Sequence, residues 1–182
     1  MKTASLLLAV SMLATIGLAA CSDRSRPPRE GGPGGREARQ SPALMFSPNG
    51  EPLNGGALGQ PSCGLAMNSW FDRTDANHDG RLDREEFLAD ARAQFAKMDV
   101  NRLGYLTNDA LSRYRQPFRQ GTRSNNVIDP VMTADKNLNF MVTPEEFQQH
   151  AAEAFAQLAA PQGSAIDRAG LAAYCAQQAQ ST

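Results

Sequence analysis

One twelve-residue segment, residues 75–86, constrains the fold of this chain more than any other feature. Asp or Asn occupies its first, third and fifth positions, Gly its sixth and Glu its twelfth. Alternating oxygen ligands, followed by a residue that tolerates a positive φ, allow the chain to wrap around a hard cation such as Ca²⁺. The predicted ligands are Asp75, Asn77, Asp79, the backbone carbonyl of Arg81, Asp83 and Glu86.

The segment recurs three more times with less complete ligand sets. The four copies begin at residues 75, 99, 135 and 159, so successive starts lie 24, 36 and 24 residues apart. They are named loop one (Asp75–Glu86), loop two (Asp99–Ala110), loop three (Asp135–Glu146) and loop four (Ala159–Gly170). Apolar residues at helical spacing lie before and after the loops, which predicts that each loop joins two helices. The eighth position of every loop is apolar: Leu82, Leu106, Val142 and Ile166.

These features resemble the EF-hand family over about residues 61–178. The resemblance implies an all-α fold of four EF-hand-like helix-loop-helix units in two pairs, with a short two-stranded bridge between paired loops. The spacing predicts loops one and two as the first pair, within residues 61–115. Loops three and four are the predicted second pair, within residues 127–180, and residues 116–126 are the predicted connector.

The loops differ in their expected affinity for calcium. Loop three has Phe140 where Gly is usual, and a non-Gly residue at positive φ costs about 1–2 kcal/mol. It also has only two carboxylates among its ligands, so we expect weaker binding there than in loop one. Loop two has Leu103 and Ala110 at ligand positions, and loop four keeps little beyond Asp167, so both are expected to be structural. The candidate ligands of loop three are Asp135, Asn137, Asn139, the Met141 carbonyl, Thr143 and Glu146.

The N-terminal residues 1–20 predict a secretory signal peptide. Lys2 precedes an apolar stretch that is short for a membrane-spanning helix, and small residues follow it. Leu18-Ala19-Ala20-Cys21 resembles the bacterial lipobox, which implies cleavage before Cys21 and attachment of lipid, with acyl chains such as palmitate, to its thiol. The same resemblance implies the outer membrane over the inner membrane, because Ser22 stands where Asp favours retention in the inner membrane of Gram-negative bacteria. The expected location is therefore the cell envelope, lipid-anchored and facing the periplasm or the surface.

Residues 21–60 are rich in Gly, Pro and Arg and are predicted to form a tether. They contain few large apolar side chains whose burial could offset the entropy lost on ordering. The exception is residues 44–53, in which apolar residues flank the turn-forming pair Asn49-Gly50. This patch can fold back onto the domain.

Two cysteines, Cys63 and Cys175, remain once Cys21 is assigned to lipid. An even number of thiols in an oxidising compartment favours a disulfide, and this one would join the two ends of the repeat array. The alternative is two separately buried thiols, because Cys also packs well as a small apolar residue.

Composition and motifs exclude several classes of function. The net charge of −1 provides no basic field for nucleic acid. His78 and His150 are the only histidines, and the chain has no nucleophile motif, phosphate loop or zinc spacing, so we expect no enzyme.

The expected function is calcium binding, as a buffer, a sensor or a calcium-stabilised module. The alternative is a sensor or adhesion module that binds a protein partner when calcium opens a methionine-lined groove. A dockerin-like module is disfavoured because an apolar helix with Trp70 and Phe71 precedes loop one. The candidate groove methionines are Met67, Met98, Met132 and Met141.

Overall fold

The computed structural model describes residues 41–122, 129–159 and 163–180. The predicted signal peptide, Cys21 and the first part of the tether lie outside them. The α-helices of the described residues are α1 (Cys63–Thr74), α2 (Arg84–Met98), α3 (Asn108–Arg115), α4 (Pro144–Ala159) and α5 (Arg168–Gln180). Short 3₁₀ helices occupy Gly56–Leu58, Gln116–Phe118 and Pro130–Ala134. The predicted all-α class is confirmed, and no helix in these ranges is both long and apolar enough to cross a bilayer.

The ninth residue of each loop starts the helix that follows it. Its side-chain oxygen accepts a hydrogen bond from the backbone N–H three residues further on, which is the geometry of a helix N-cap. The four pairs are Asp83 with Glu86 at 2.9 Å, Thr107 with Ala110 at 3.2 Å, Thr143 with Glu146 at 3.2 Å and Asp167 with Gly170 at 2.9 Å. Each loop therefore fixes where its own exit helix begins.

Helices α2 and α4 pack against each other at the centre of the domain. Phe87 near the start of α2 contacts Phe155 near the end of α4, with 5.5 Å between ring centroids. Phe95 near the end of α2 contacts Phe147 near the start of α4, with 5.7 Å between centroids. These crossed contacts show that the two helices run antiparallel.

The predicted pairing of the loops is wrong. Leu82 of loop one forms an antiparallel bridge with Ile166 of loop four, and Leu106 of loop two forms one with Val142 of loop three. The cause is α2 itself, whose 15 residues join loop one directly to loop two. At 1.5 Å per residue this helix is about 22 Å long, so the two loops lie at its opposite ends and cannot touch.

Helix α1 packs against α5, and a disulfide joins the two. The Sγ atoms of Cys63 and Cys175 are 2.05 Å apart and their Cα atoms 5.8 Å apart. The linkage connects the helix that enters loop one to the helix that leaves loop four. It therefore acts on the loop pair that the bridge between Leu82 and Ile166 defines.

Residues 44–54, here named the strap, pack against the helices, so the predicted tether is too long at its C-terminal end. Asn49 is buried and donates from Nδ2 to the Phe87 carbonyl at 3.0 Å and to Asp90 Oδ2 at 2.8 Å. Gly50 has a φ of +80°, and a Cβ added there would lie 2.7 Å from Val131 Cγ2. The side-chain amide N–H groups of Asn49 thus attach the strap to α2, which composition alone does not reveal.

Arg115, the last residue of α3, is a buried cation that holds the strap in place. It is only 2% exposed, and its guanidinium donates to both carboxylate oxygens of Asp129, at 2.9 and 3.2 Å. It also donates to the Gly50 carbonyl and lies 4.3 Å from the centroid of the Phe46 ring. A buried charge needs such partners to offset its lost hydration. The pair joins α3, which leaves loop two, to the residue before the 3₁₀ helix that enters loop three.

Candidate metal centre

Loop one keeps its wrapped shape because its side-chain oxygens accept hydrogen bonds from its own backbone. Asp75 Oδ1 accepts from Asp79 N at 3.2 Å and Oδ2 from Gly80 N at 2.9 Å. Asn77 Oδ1 accepts from Asp79 N, and Asp79 Oδ1 from Arg81 N, both at 2.8 Å. Gly80 has a φ of +78° and an added Cβ would meet nothing within 4 Å, so the need for Gly is conformational.

The carboxylate of Glu86 connects the two ends of loop one. Oε1 accepts from the backbone N–H groups of Ala76 and Asn77, at 3.0 and 3.2 Å. Oε2 accepts from Asp83 N at 3.1 Å and completes a capping box at the start of α2. This reach across the loop is the one that a closing bidentate ligand needs.

The donor set of loop one fits calcium chemically. All six predicted ligands offer oxygen, and four of them are carboxylates, which suits a hard divalent cation. Within the ranges that the structure describes, no three His, Cys, Asp or Glu side chains are grouped closely enough to hold a metal ion. The loop carboxylates are engaged with backbone N–H groups instead. Bound calcium would neutralise the mutual repulsion of Asp75, Asp79, Asp83 and Glu86.

Loop three repeats the hydrogen bonds that hold the first half of loop one. Asp135 accepts from Asn139 N at 3.2 Å and from Phe140 N at 2.8 Å, as Asp75 does from its equivalents. Glu146 again spans the loop, accepting from Asn137 Nδ2 at 2.7 Å and from Thr143 N at 3.0 Å. The Met141 N–H donates to Asn139 Oδ1 at 2.9 Å. Loop three therefore has the backbone frame of a binding loop, but only half as many ligand carboxylates as loop one.

Phe140 adopts the positive φ that the sequence predicts. Its φ is +65°, close to those of Gly80 and Gly104 at the sixth positions of loops one and two. The ring is 75% exposed, so little packing offsets a conformational cost of about 1–2 kcal/mol. The backbone at the sixth position is therefore strained in loop three, where the residue is Phe140, and not in loop one, where it is Gly80.

Loop two keeps the backbone shape of loop one but lacks two of its ligands, at Leu103 and Ala110. Asp99 accepts from Leu103 N at 2.9 Å and from Gly104 N at 2.8 Å. The Arg113 guanidinium donates to Asn101 Oδ1 at 3.4 Å, so a cationic side chain already contacts a ligand-position oxygen. This contact supports the expectation that loop two is structural.

In loop four, residues 160–162 lie outside the described residues. The Ala159 carbonyl accepts from Gly163 N at 2.8 Å, and Gly163 has a φ of +105°. The Asp167 carboxylate caps α5. The described part of loop four thus fulfils a structural role.

An interaction that the sequence does not signal connects the two helices that flank loop one. Trp70 Nε1 on α1 donates to Asp90 Oδ2 on α2 at 3.1 Å, and Asn49 of the strap donates to the same oxygen. Arg73 at the end of α1 also pairs with Glu51 of the strap at 3.0 Å. The strap therefore contacts both helices of loop one. No spacing rule predicts these partners, because they come from three separate segments.

The two histidines lie away from the ligand positions of the loops. His78 is exposed at the fourth position of loop one, with a φ of +58°. His150 lies on α4 beside a cavity of about 420 Å³ between the strap, α4 and α5. Burial and the Lys136 ammonium hold the pKa of His150 below its ordinary value, against the opposing effect of Glu153.

Comparison with known proteins supports one part of this site directly. A family model described as EF hand matches residues 67–89, which include most of α1, all of loop one and the start of α2. No curated protein and no solved structure matches the chain. Loop one and its flanking helices are therefore similar to an EF hand, and this similarity suggests calcium binding at that loop.

Proposed function

We propose that this chain is an exported, lipid-anchored, non-enzymatic protein of the cell envelope that binds Ca²⁺ at loop one. The observation that carries the proposal is the Glu86 carboxylate, which connects both ends of a loop that holds three further carboxylates. The EF-hand match over residues 67–89 supports the same loop. The protein acts as a calcium buffer or as a module that calcium stabilises.

Calcium binding to loop one is linked to folding. Asp75, Asp79, Asp83 and Glu86 repel one another without a cation, and a divalent ion removes that repulsion. Extracellular calcium modules bind with dissociation constants of roughly 10⁻⁴–10⁻³ M, and we expect this range for loop one. Loop three binds more weakly because it has two carboxylates and a strained Phe140.

Titration calorimetry of residues 21–182 carrying Cys21→Ser tests the calcium site without the lipid. Calcium added to chelator-treated protein should give one saturable site with a much weaker second phase. Magnesium is the matched control, because it prefers a smaller octahedral site and should bind far less. The absence of saturable binding up to about 10 mM calcium, well above the expected range, would contradict the proposal.

The lipid anchor is tested in bacterial cells that express the full chain, since Cys21 lies outside the described residues. The parent should incorporate labelled fatty acid, and Cys21→Ser should not. Ser22→Asp is the matched control, because it keeps the acceptor thiol and should change only the membrane in which the protein is found. Equal labelling of the parent and Cys21→Ser would refute the anchor.

A calcium-dependent sensor that binds a protein partner is the second candidate. Met67, Met98 and Met132 belong to one buried core cluster, so a calcium-driven movement of the helices would expose several methionines together. Binding of an apolar dye with and without calcium distinguishes the two functions. A sensor should bind more dye when calcium is added, whereas a buffer or calcium-stabilised module should not.

A further inference from the structure

Large apolar side chains are exposed on loops two and three. Among the described residues, six large apolar side chains are exposed, and four of them lie in these two loops. Leu138 is 77% exposed and Phe140 is 75% exposed. The four residues, here named the apolar tip, are Val100, Leu103, Leu138 and Phe140.

The apolar tip belongs to one loop pair and not to the other. Leu106 and Val142 exchange backbone hydrogen bonds of 2.8 and 2.9 Å, which holds loops two and three side by side at the same end of α2 and α4. At the positions equivalent to Leu138 and Phe140, loop one has His78 and Gly80. The other loop pair therefore lacks these apolar side chains.

Packing within the domain does not explain why residue 140 is Phe. The residue has a φ of +65°, where loops one and two have Gly, and its exposed ring gains little from packing within the domain. Leu138 is the most exposed of the four, while its φ of +59° belongs to the loop frame, because the fourth position has a similar φ at His78 and Arg102. A strained and exposed Phe, close in sequence to an exposed Leu, is explained by a surface that takes these apolar side chains out of water.

The size and charge of the region favour a neutral lipid surface. A stable protein interface takes roughly 20–30 residues on each side, and the apolar tip has only four large side chains, which disfavours a second copy of the chain. Loops two and three contain five acidic and two basic residues, a formal charge of −3, so anionic lipid would not attract them. A zwitterionic headgroup layer imposes no such repulsion.

The chain between Cys21 and the described domain is short enough to keep the domain close to the bilayer that holds the lipid. This step rests on the lipid anchor of the proposed function. Ser41 follows Cys21 by 20 residues, which in any conformation span at most about 70 Å. Contact between the apolar tip and the same bilayer is then intramolecular, so weak insertion suffices.

We propose that the apolar tip enters the headgroup region of a zwitterionic bilayer and gives the anchored domain a second contact with the membrane. The insertion is driven by removal of apolar surface from water, and salt has little effect on it. Loop one lies at the other end of α2 and remains in solution.

Fluorescence of Phe140→Trp tests this proposal on residues 21–182 with Cys21→Ser, which carry no lipid. Trp70 is the only Trp of the chain and is fully buried, so the added indole reports on the tip. Vesicles of phosphatidylcholine should shift the emission of Phe140→Trp to shorter wavelength and leave the parent unchanged. No shift would overturn the proposal. A shift that appears without vesicles and grows with protein concentration would assign the tip to a second copy and would also overturn it.

Vesicle co-sedimentation of the same unlipidated chain provides a matched comparison. Leu138→Ser should lower the fraction bound by about tenfold, because the buried apolar area of a Leu side chain is lost. Leu65→Ser is the control, since Leu65 is 65% exposed on α1 and should not contribute. Equal losses in the two variants would contradict the assignment. Failure of the fatty-acid labelling above would remove the anchor without changing this readout, so the two proposals fail separately.

Discussion

The two loop pairs share one backbone frame but are fastened by different chemistry. In both pairs the eighth residues exchange hydrogen bonds of 2.8 and 2.9 Å. The helices around loops one and four are joined covalently by Cys63–Cys175, whereas those around loops two and three are joined by the ion pair Arg115–Asp129. The two ends of the domain also carry different side chains, since loop one contains four ligand carboxylates and loop three exposes Leu138 and Phe140.

The comparison shows that the backbone frame of a loop and its ligands are separable. The first Asp, the eighth apolar residue and the ninth capping residue hold the shape in loop two, which lacks the ligands of the fifth and twelfth positions. The remaining positions can then carry carboxylates, as in loop one, or apolar side chains, as in loop three. Substitutions made in one loop pair at a time test this difference between the two pairs.

The largest effect is expected from Asp129→Asn in the second loop pair. Removing one partner of a buried ion pair leaves the Arg115 charge uncompensated and should lower the free energy of unfolding by about 3–5 kcal/mol. Asp109→Asn is the matched control, because the Arg113–Asp109 pair is exposed and should contribute less than about 1 kcal/mol. Urea denaturation measures both, and similar losses would show that Arg115 is not held as described.

A somewhat smaller effect is expected from Cys63→Ala/Cys175→Ala in the first loop pair. The disulfide has a sequence separation of 112 residues, and its removal should lower stability by about 2–5 kcal/mol. Reductant should lower the stability of the parent by the same amount and leave the double variant unchanged. Unchanged urea midpoints in the reduced parent would mean that the linkage does not stabilise the domain.

The smallest effects are opposite substitutions at the sixth loop positions. Phe140→Gly should raise the free energy of unfolding by about 1 kcal/mol, because it relieves a positive φ without loss of packing. Gly80→Ala should lower it by a similar amount, and only through conformation, since the added Cβ meets no neighbour. Thermal unfolding without calcium measures the pair. Changes of the same sign would show that φ does not control these positions.

The all-α class and the loop boundaries follow from the sequence, because each depends on residues close together in the chain. The prediction from the sequence pairs the wrong loops, although the spacing between the loops explains the observed pairing. A separation of 24 residues between loop starts leaves only about twelve residues after a twelve-residue loop, enough for one shared helix and not for two. Loops at the two ends of one helix must find partners elsewhere.

Polar contacts between distant segments could not be predicted. The partners of Arg115 lie on the strap and at Asp129, and nothing in the local sequence distinguishes Arg115 from an exposed Arg at the end of a helix. The same holds for Asp90, which Trp70 and Asn49 reach from two other segments. The Asn49-Gly50 turn indicated that residues 44–53 can fold back, but not which helices they contact.

The assignment of the calcium site to loop one is tested most directly by comparing calcium binding by Glu86→Gln and Glu146→Gln. Both carboxylates span their loops, and the two substitutions remove equivalent charges; Glu86 Oε1 accepts from two backbone N–H groups, whereas Glu146 Oε1 accepts from the Asn137 side-chain amide. Calorimetry should show that Glu86→Gln weakens the dominant site by more than about tenfold, or 1.4 kcal/mol, whereas Glu146→Gln leaves that site unchanged. Equal weakening by both substitutions, or a larger loss from Glu146→Gln, would contradict the assignment of calcium to loop one.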